Sequence, residues 1–144
     1  MIQRISHIGF VVSSMDDALA LWCDRLGMRK CAEAVFEVEG IRSVFVSVSG
    51  EVGEMCIELM EPLDKNDMTN AVARRLATKG EGFYHLAVVV DDVDASGRLL
   101  RDRSFDLIDR PPTGNAKQGR WLIRPREAGG VMVEGIEEWK DEGL

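Results

Sequence analysis

The sequence predicts an α+β fold of two tandem βαβββ modules, whose curved sheets enclose a shared metal-binding cleft. One observation is an internal repeat: the stretch that opens at His7 recurs 78 residues later at His85, and apolar residues such as Val11 and Val89 coincide at that offset. The other is the order of patterns in each copy, where a valine-rich run is followed by helical periodicity and three short strand-like runs. The two histidines of this 144-residue chain occupy equivalent places in the repeat.

The first module is expected to cover about residues 1–63. Residues 5–12 alternate weakly and predict a strand. An amphipathic helix should follow, with Ser14 and Asp17 as a capping box and Gly27 at its C-terminal end. Its apolar face would comprise Met15, Ala18, Leu19, Trp22 and Leu26. The three strands that complete the module are predicted at Val35–Val38, Ser43–Val48 and Met55–Met60.

A connecting segment of about residues 64–80, with a helix over Asp67–Ala77, leads to the second module at about residues 81–137. Here a strand is predicted at His85–Val90 and a capped helix at Val93–Arg103, which Gly97 weakens. The remaining strands are predicted at Phe105–Asp109, Arg120–Ile123 and Val131–Glu134. The irregular stretch 110–119 has the length typical of a binding loop, and residues 138–144 are expected to form an acidic tail.

Composition narrows the possible partners. The net charge of −7 argues against nucleic acid, although Arg120, Arg124 and Arg126 could meet a small anion locally. No apolar run reaches the roughly 18 residues that a membrane span needs, and the N-terminus does not resemble a signal peptide, so a cytoplasmic location is expected. The three cysteines lack CxxC spacing and are expected to be small buried hydrophobes rather than disulfides.

Four residues combine a metal-ligating side chain with an otherwise apolar strand face. Alternation places His7 and His85 on the small or apolar side of their strands, and it does the same for Glu58 and Glu134. A carboxylate on an apolar face is costly unless it is paired or bound to a cation. Each copy contributes one histidine and one glutamate at matching positions. The set therefore predicts a site for a divalent metal such as Zn²⁺, Co²⁺, Ni²⁺, Mn²⁺ or Fe²⁺.

Four segments resemble the vicinal oxygen chelate superfamily and, within it, the methylmalonyl-CoA epimerases. They are His7-Ile-Gly-Phe-Val-Val, Glu58-Leu-Met-Glu-Pro-Leu, Gly80-Glu-Gly-Phe-Tyr-His-Leu-Ala and Gly129-Gly-Val-Met-Val-Glu. The resemblance covers nearly the whole chain and implies that His7, Glu58, His85 and Glu134 are the metal ligands. It also implies an acyl-CoA substrate and an assembly of two chains. Some members have glutamine at the position of Glu58.

The resemblance implies epimerisation through a metal-stabilised enolate. The metal would bind the thioester carbonyl and the neighbouring carboxylate, while carboxylates on the two faces of the substrate remove and return the proton. The catalytic base of the family corresponds to Glu39, with Glu37 as a rival because this segment is one residue shorter. Glu134, already a ligand, would be the opposing carboxylate.

Two departures lie where substrate recognition is decided. Tyr84 stands where the family commonly has a second histidine, and Arg124-Pro125 replaces a His-Pro pair. The alternatives are a glyoxalase-type isomerase or lyase, an extradiol-type dioxygenase, and a non-catalytic resistance protein that sequesters a small molecule. Glu58 argues against the dioxygenase because it would fill a coordination position that oxygen needs. The full set of ligands argues against the resistance protein.

Overall fold

The fold is described from a computed structural model, which covers residues 1–51, 53–112 and 118–138. Two βαβββ segments follow one another along the chain, as predicted. The first consists of β1 (Ile2–Val11), α1 (Met15–Leu19) with a π-helical continuation (Ala20–Arg25), β2 (Arg29–Phe36), β3 (Ile41–Ser47) and β4 (Cys56–Pro62). After α2 (Ala71–Lys79) come β5 (Gly82–Val90), α3 (Val93–Asp102), β6 (Ile108–Arg110), β7 (Arg120–Ile123), a 3₁₀ turn (Pro125–Glu127) and β8 (Met132–Ile136).

The chain divides into two compact units whose boundaries fall inside β1 and β5. The terminal unit comprises residues 1–7 together with the chain from residue 85 onward, and the central unit comprises residues 8–84. The predicted module boundaries, which follow the sequence repeat, stay a prediction. Among the described residues, no helix combines the length and the apolar character that crossing a bilayer requires.

In the terminal unit the strands lie in the order β1-β5-β8-β7-β6. β5 and β8 are parallel, whereas β7 is antiparallel to both β8 and β6. The core of this unit surrounds Trp121, which is 2% exposed and donates a hydrogen bond from Nε1 to Ser96 Oγ at 2.9 Å. Apolar side chains from β5, α3 and β7 pack with it, including Val88, Val90, Leu100 and Ile123.

In the central unit the order is β2-β3-β4-β1, and β3 pairs antiparallel with both β2 and β4. One apolar cluster lies between these strands and α1, and a second lies against α2.

Asp92, at the N-terminus of α3 in the terminal unit, confirms the predicted cap by accepting a hydrogen bond from Ala95 N. Ser14 does the same at α1, where its hydroxyl accepts from Asp17 N.

The predicted continuous α-helix through Leu26 is wrong in its second half. From Ala20 to Arg25 the backbone is π-helical, and Leu26 N donates to Leu21 O at 3.0 Å, five residues back. The wider turn accompanies a stacked contact between Trp22 and Phe10, whose ring centroids are 5.7 Å apart. Gly27, with a φ of 80°, ends the helix as predicted.

Other predicted bounds also require correction. β2 begins at Arg29 and ends before Val38, which is 86% exposed in the following turn. α2 begins after Asn70 rather than at Asp67. β6 begins only at Ile108, because the chain after α3 first turns through Ser104, with a φ of 73°, and a hydrogen bond from Phe105 N to Leu100 O. The three cysteines lie outside any disulfide, as predicted, but they are half-buried rather than buried.

Candidate metal centre

Strand register brings His85 and Glu134 to the same face of the terminal unit. β5 and β8 run parallel with Ala87 directly opposite Glu134, and His85 lies two residues before Ala87 on the same side. Because Ala87 carries only a methyl group, the imidazole and the carboxylate can approach each other above it. His7 belongs to the buried side of β1, where His7, Gly9 and Val11 alternate with half-buried residues.

His7, His85 and Glu134 form a compact group of potential ligands. The two imidazole Nε2 atoms are 3.1 Å apart, and His85 Nε2 lies 3.6 Å from Glu134 Oε2. All three residues are buried, and one ligand atom from each lies within 4.8 Å of the others. The structure thus brings together three of the four predicted ligands.

The donor set and its spacing fit a divalent first-row metal. Nitrogen and oxygen ligands lie about 2.0–2.2 Å from such an ion, so two ligands at ordinary coordination angles are separated by about 3.0–3.5 Å. The separations of 3.1 and 3.6 Å in this group are close to that range. Two imidazoles with a carboxylate suit zinc, cobalt, nickel, manganese or iron.

Ser6 supports the orientation of one imidazole. Its hydroxyl is 3.0 Å from His7 Nδ1, while His7 Nε2 is directed towards His85. When Nδ1–H donates to the hydroxyl, the Nε2 lone pair is available to a metal, which is the usual arrangement of a histidine ligand. The sequence reasoning missed Ser6 because a serine beside a histidine carries no distinctive pattern.

Glu58 lies in the central unit, on β4. It is 6% exposed and accepts a hydrogen bond from Ser43 Oγ at 2.7 Å. The β3–β4 register explains the contact, since Ser43 is opposite Met60, two residues beyond Glu58 on the same face. The burial agrees with the inward orientation that alternation predicted, and the place of Glu58 in the ligand set stays a prediction.

The predicted base, Glu39, lies in the turn between β2 and β3. Asn70 holds this turn, since its Nδ2 donates to Glu39 O at 2.6 Å while its Oδ1 caps α2 by accepting from Ala73 N. Gly40 has a φ of 65°, and a Cβ there would lie 2.6 Å from Asn70 Nδ2. Glu39 is half-buried, whereas Glu37 is exposed. The catalytic role of either residue stays a prediction.

The arginines proposed for a small anion have different surroundings. Arg120 Nη1 lies 3.6 Å from Glu134 Oε1 at the candidate metal centre. Arg124 instead donates from Nη1 to Asp106 O at 2.9 Å and pairs with Asp106 Oδ2, and Arg126 is exposed. The predicted binding loop 110–119 lies partly outside the described residues, at positions 113–117, as does the acidic tail from residue 139.

Glu81, in the Gly-Glu-Gly segment, has a structural contact that the sequence did not indicate. Its Oε1 accepts hydrogen bonds from Ser13 N at 2.8 Å and from Ser13 Oγ at 2.7 Å. These two bonds, the backbone one foremost, hold the pKa of the Glu81 carboxyl below its usual value. Glu61 Oε2 accepts in turn from Met15 N at 2.6 Å, so a carboxylate from β4 and the carboxylate just before β5 stabilise the beginning of α1.

Comparison with known proteins agrees with the fold. The family model of the glyoxalase/bleomycin resistance protein/dioxygenase superfamily matches residues 6–122. The chain therefore belongs to this superfamily, and within it the chain is similar to methylmalonyl-CoA epimerases. One relative, the uncharacterized protein YqjC of Bacillus subtilis, is 30% identical over 97% of this chain and 96% of its own length.

The chain is similar to solved structures of methylmalonyl-CoA epimerases. The crystal structure of methylmalonyl-CoA epimerase from Mycobacterium tuberculosis has a TM-score of 0.83 and 32% identity, and covers 96% of this chain and 90% of the other. A form of the Streptomyces coelicolor epimerase in complex with 2-nitronate-propionyl-CoA has a TM-score of 0.83 and 26% identity, with 97% and 100% covered.

Proposed function

We propose that this protein is a divalent-metal-dependent epimerase of methylmalonyl-CoA or of a closely related 2-substituted malonyl thioester. The observation that carries the proposal is the buried group of His7, His85 and Glu134, found in a chain similar to epimerases along almost its whole length. The binding of an acyl-CoA analogue by one of these relatives supports the substrate class. The corresponding enzyme class is an isomerase.

The residues that would hold the metal are His7, His85 and Glu134, with Glu58 as the fourth ligand. A bound divalent cation supplies Lewis acidity, which stabilises negative charge on a substrate carbonyl oxygen as the neighbouring carbon loses its proton. Strong burial of the donor set excludes water, and electrostatic stabilisation is larger in such a site than in solvent. Co²⁺, Zn²⁺, Mn²⁺ and Ni²⁺ all suit these ligands.

The proton would be moved by carboxylates of this chain. Glu39 would take the hydrogen from the carbon between the two carbonyl groups, so that a C–H bond breaks and an O–H bond forms on the carboxylate. Return of a proton to the opposite face of the same carbon inverts its configuration, and Glu134 is the carboxylate assigned to that face. The O–H bond of protonated Glu134 would break as the new C–H bond forms, which would leave Glu134 ionised and Glu39 protonated. The hold of Asn70 on the turn would limit the positions that the Glu39 backbone can adopt.

The proposal is tested by proton exchange, followed by NMR. Methylmalonyl-CoA is incubated in D₂O with the metal-loaded protein, and with the same protein after chelation. The proposal predicts loss of the signal of the hydrogen on C2 with the metal-loaded protein alone, well above the rate without enzyme. No exchange with the fully loaded protein would contradict the epimerase function, and glyoxalase-type substrates would then be examined. Assembly as a homodimer and a cytoplasmic location stay predictions.

A further inference from the structure

Glu134 presents its two carboxylate oxygens to different groups. Oε2 lies 3.6 Å from His85 Nε2, and Oε1 lies 3.6 Å from Arg120 Nη1. The Glu134 side chain is 11% exposed. The orientation of the carboxylate is therefore determined by its protein neighbours more than by water.

The strand register fixes Arg120 on the same face as Glu134. Leu122 is directly opposite Glu134 in the β7–β8 pair, and Arg120 lies two residues earlier on the same side of β7. Trp121, which lies between Arg120 and Leu122 on β7, points to the other face, where its hydrogen bond to Ser96 anchors the strand in the core. The Arg120 side chain is 21% exposed, so its guanidinium is largely held by the protein.

We propose that Arg120 is a positioning residue of the metal centre, which holds Oε1 of Glu134 and leaves Oε2 to bind the metal. A ligating carboxylate can bind through one oxygen or through both. Attraction of Oε1 by the guanidinium favours the one-oxygen mode and so keeps a coordination position open for substrate. The inference rests on the proposed metal-dependent function, and it adds a residue whose place in the site the superfamily resemblance does not supply.

The direction in which substitution of Arg120 changes metal affinity distinguishes a positioning role from a purely electrostatic one. A guanidinium near a divalent cation repels it, so removal of a bystander charge would strengthen metal binding. Removal of a positioning group has the opposite effect, because Glu134 loses its orientation; loss of such outer contacts typically weakens metal binding about 10–100-fold.

The experiment is a Co²⁺ titration of the metal-free 144-residue chain, followed by visible absorption. The variants are Arg120→Met, which removes charge and donors, and Arg120→Gln, which removes the charge but keeps N–H donors. Arg101→Met is the matched control, since Arg101 lies in the same unit and pairs with Asp109 at an exposed position. Circular dichroism and thermal melts check that each variant folds. If Arg120→Met does not fold, the comparison of Arg120→Gln with the wild type still tests the role of Arg120.

The expected result is about 10–100-fold weaker Co²⁺ binding by Arg120→Met, a smaller loss in Arg120→Gln, and no change in Arg101→Met. Unchanged or tighter binding by the folded Arg120 variants, with normal wild-type binding, would overturn the role of Arg120 only. Absence of Co²⁺ binding by the wild-type chain would overturn the metal centre together with that role. Metal binding without proton exchange would contradict the epimerase function but leave the role of Arg120 intact.

Discussion

At the residue scale, the two turn glutamates differ in burial and in what holds them. Glu39 is half-buried, and its carbonyl oxygen accepts a hydrogen bond from Asn70, whereas Glu37 is exposed. A general base must stay within hydrogen-bond reach of the proton that it removes, which favours the more constrained residue. Glu39 is therefore the better candidate, and a pair of isosteric variants separates the two.

Glu39→Gln should lower the rate of proton exchange at C2 of methylmalonyl-CoA by about 10²–10⁴-fold, because general base catalysis contributes that much and an amide cannot accept the proton. Glu37→Gln should exchange at a rate close to the wild type. Both rates are measured by NMR in D₂O, and the bound metal is quantified in parallel to confirm that the site is intact. The reverse order of effects would assign the base to Glu37.

The Glu81 carboxyl should contribute to the pH dependence of stability. Its pKa is lowered in the folded state by the bonds from Ser13. In the pH range between the folded and unfolded values, the unfolded chain binds more protons, so stability rises with pH. The contribution is fully present above the unfolded pKa of about 4.3 and is lost as the pH falls through the lower folded value.

Urea unfolding at a series of pH values from about 6 down to 3 tests this linkage. Glu81→Gln should show a smaller loss of unfolding free energy over the acid range than the wild type. Glu51→Gln, which removes one carboxylate at an exposed position, is the control for the change in net charge. Parallel curves for wild type and Glu81→Gln would show that the Ser13 contact adds nothing to stability.

At the element scale, Asn70 connects the start of α2 to the turn between β2 and β3. One side-chain atom caps the helix and another binds the turn, so two substitutions can separate the functions. Asn70→Asp keeps an oxygen for the cap, and Asn70→Ala keeps neither contact. Thermal melts should show a loss of about 1 kcal/mol for Ala and little for Asp.

If the turn positions the catalytic base, both Asn70 variants should lose about tenfold or more in proton exchange, since small displacements of catalytic groups are costly. The informative variant is Asn70→Asp, which is expected to be as stable as the wild type but slow in proton exchange. Normal exchange in Asn70→Asp would mean that the turn keeps its position without the bond to Glu39 O.

Two glycines border Trp121 and should respond to alanine in opposite ways. At Gly135, on β8, a Cβ would lie 2.1 Å from Trp121 Cε2, and the buried ring is fixed by its bond to Ser96. At Gly97, within α3, the nearest atoms to a Cβ are 3.4 Å or more away. Gly135→Ala should cost about 3 kcal/mol through overpacking, whereas Gly97→Ala should stabilise by about 0.5–1 kcal/mol by reducing the entropy of the unfolded chain.

Chemical denaturation of both variants checks this pair. Gly97→Ala and Gly135→Ala add the same methyl group near the same indole, so each serves as the control for the other. Equal effects of the two substitutions would mean that the Trp121 ring does not hold the position seen here.

At the scale of the whole molecule, the sequence predicted the order of elements well, because strand and helix periods differ and the repeat supplies a second copy for comparison. It failed where tertiary pairing overrides local preference. Arg29–Ala34 is poor in β-formers, yet it forms β2 because β3 pairs along it, with an irregularity between Lys30 and Ala32. The π-helical turn after Leu19 leaves no periodic signature that is distinct from an α-helix.

The start of α2 shows a second limit, since two good caps compete there. The sequence predicts a helix that begins at Asp67, but Asp67 instead forms a local turn with Thr69, and Asn70 provides the cap. Such choices depend on neighbours that are distant in sequence, here the turn at Glu39. The burial of the histidines and glutamates on strand faces was easier to predict, because alternation along a strand places such a side chain on the apolar side.

The proposed metal centre of His7, His85 and Glu134 is tested most directly by measuring the metal content per chain. The purified protein and His85→Ala are loaded with Co²⁺ or Zn²⁺, dialysed against metal-free buffer and assayed by elemental analysis, with melts to confirm folding. We expect about one tightly held ion per wild-type chain, with loss of that ion from a folded His85→Ala protein. Equal metal content in the two proteins, or none in the wild type, would contradict it.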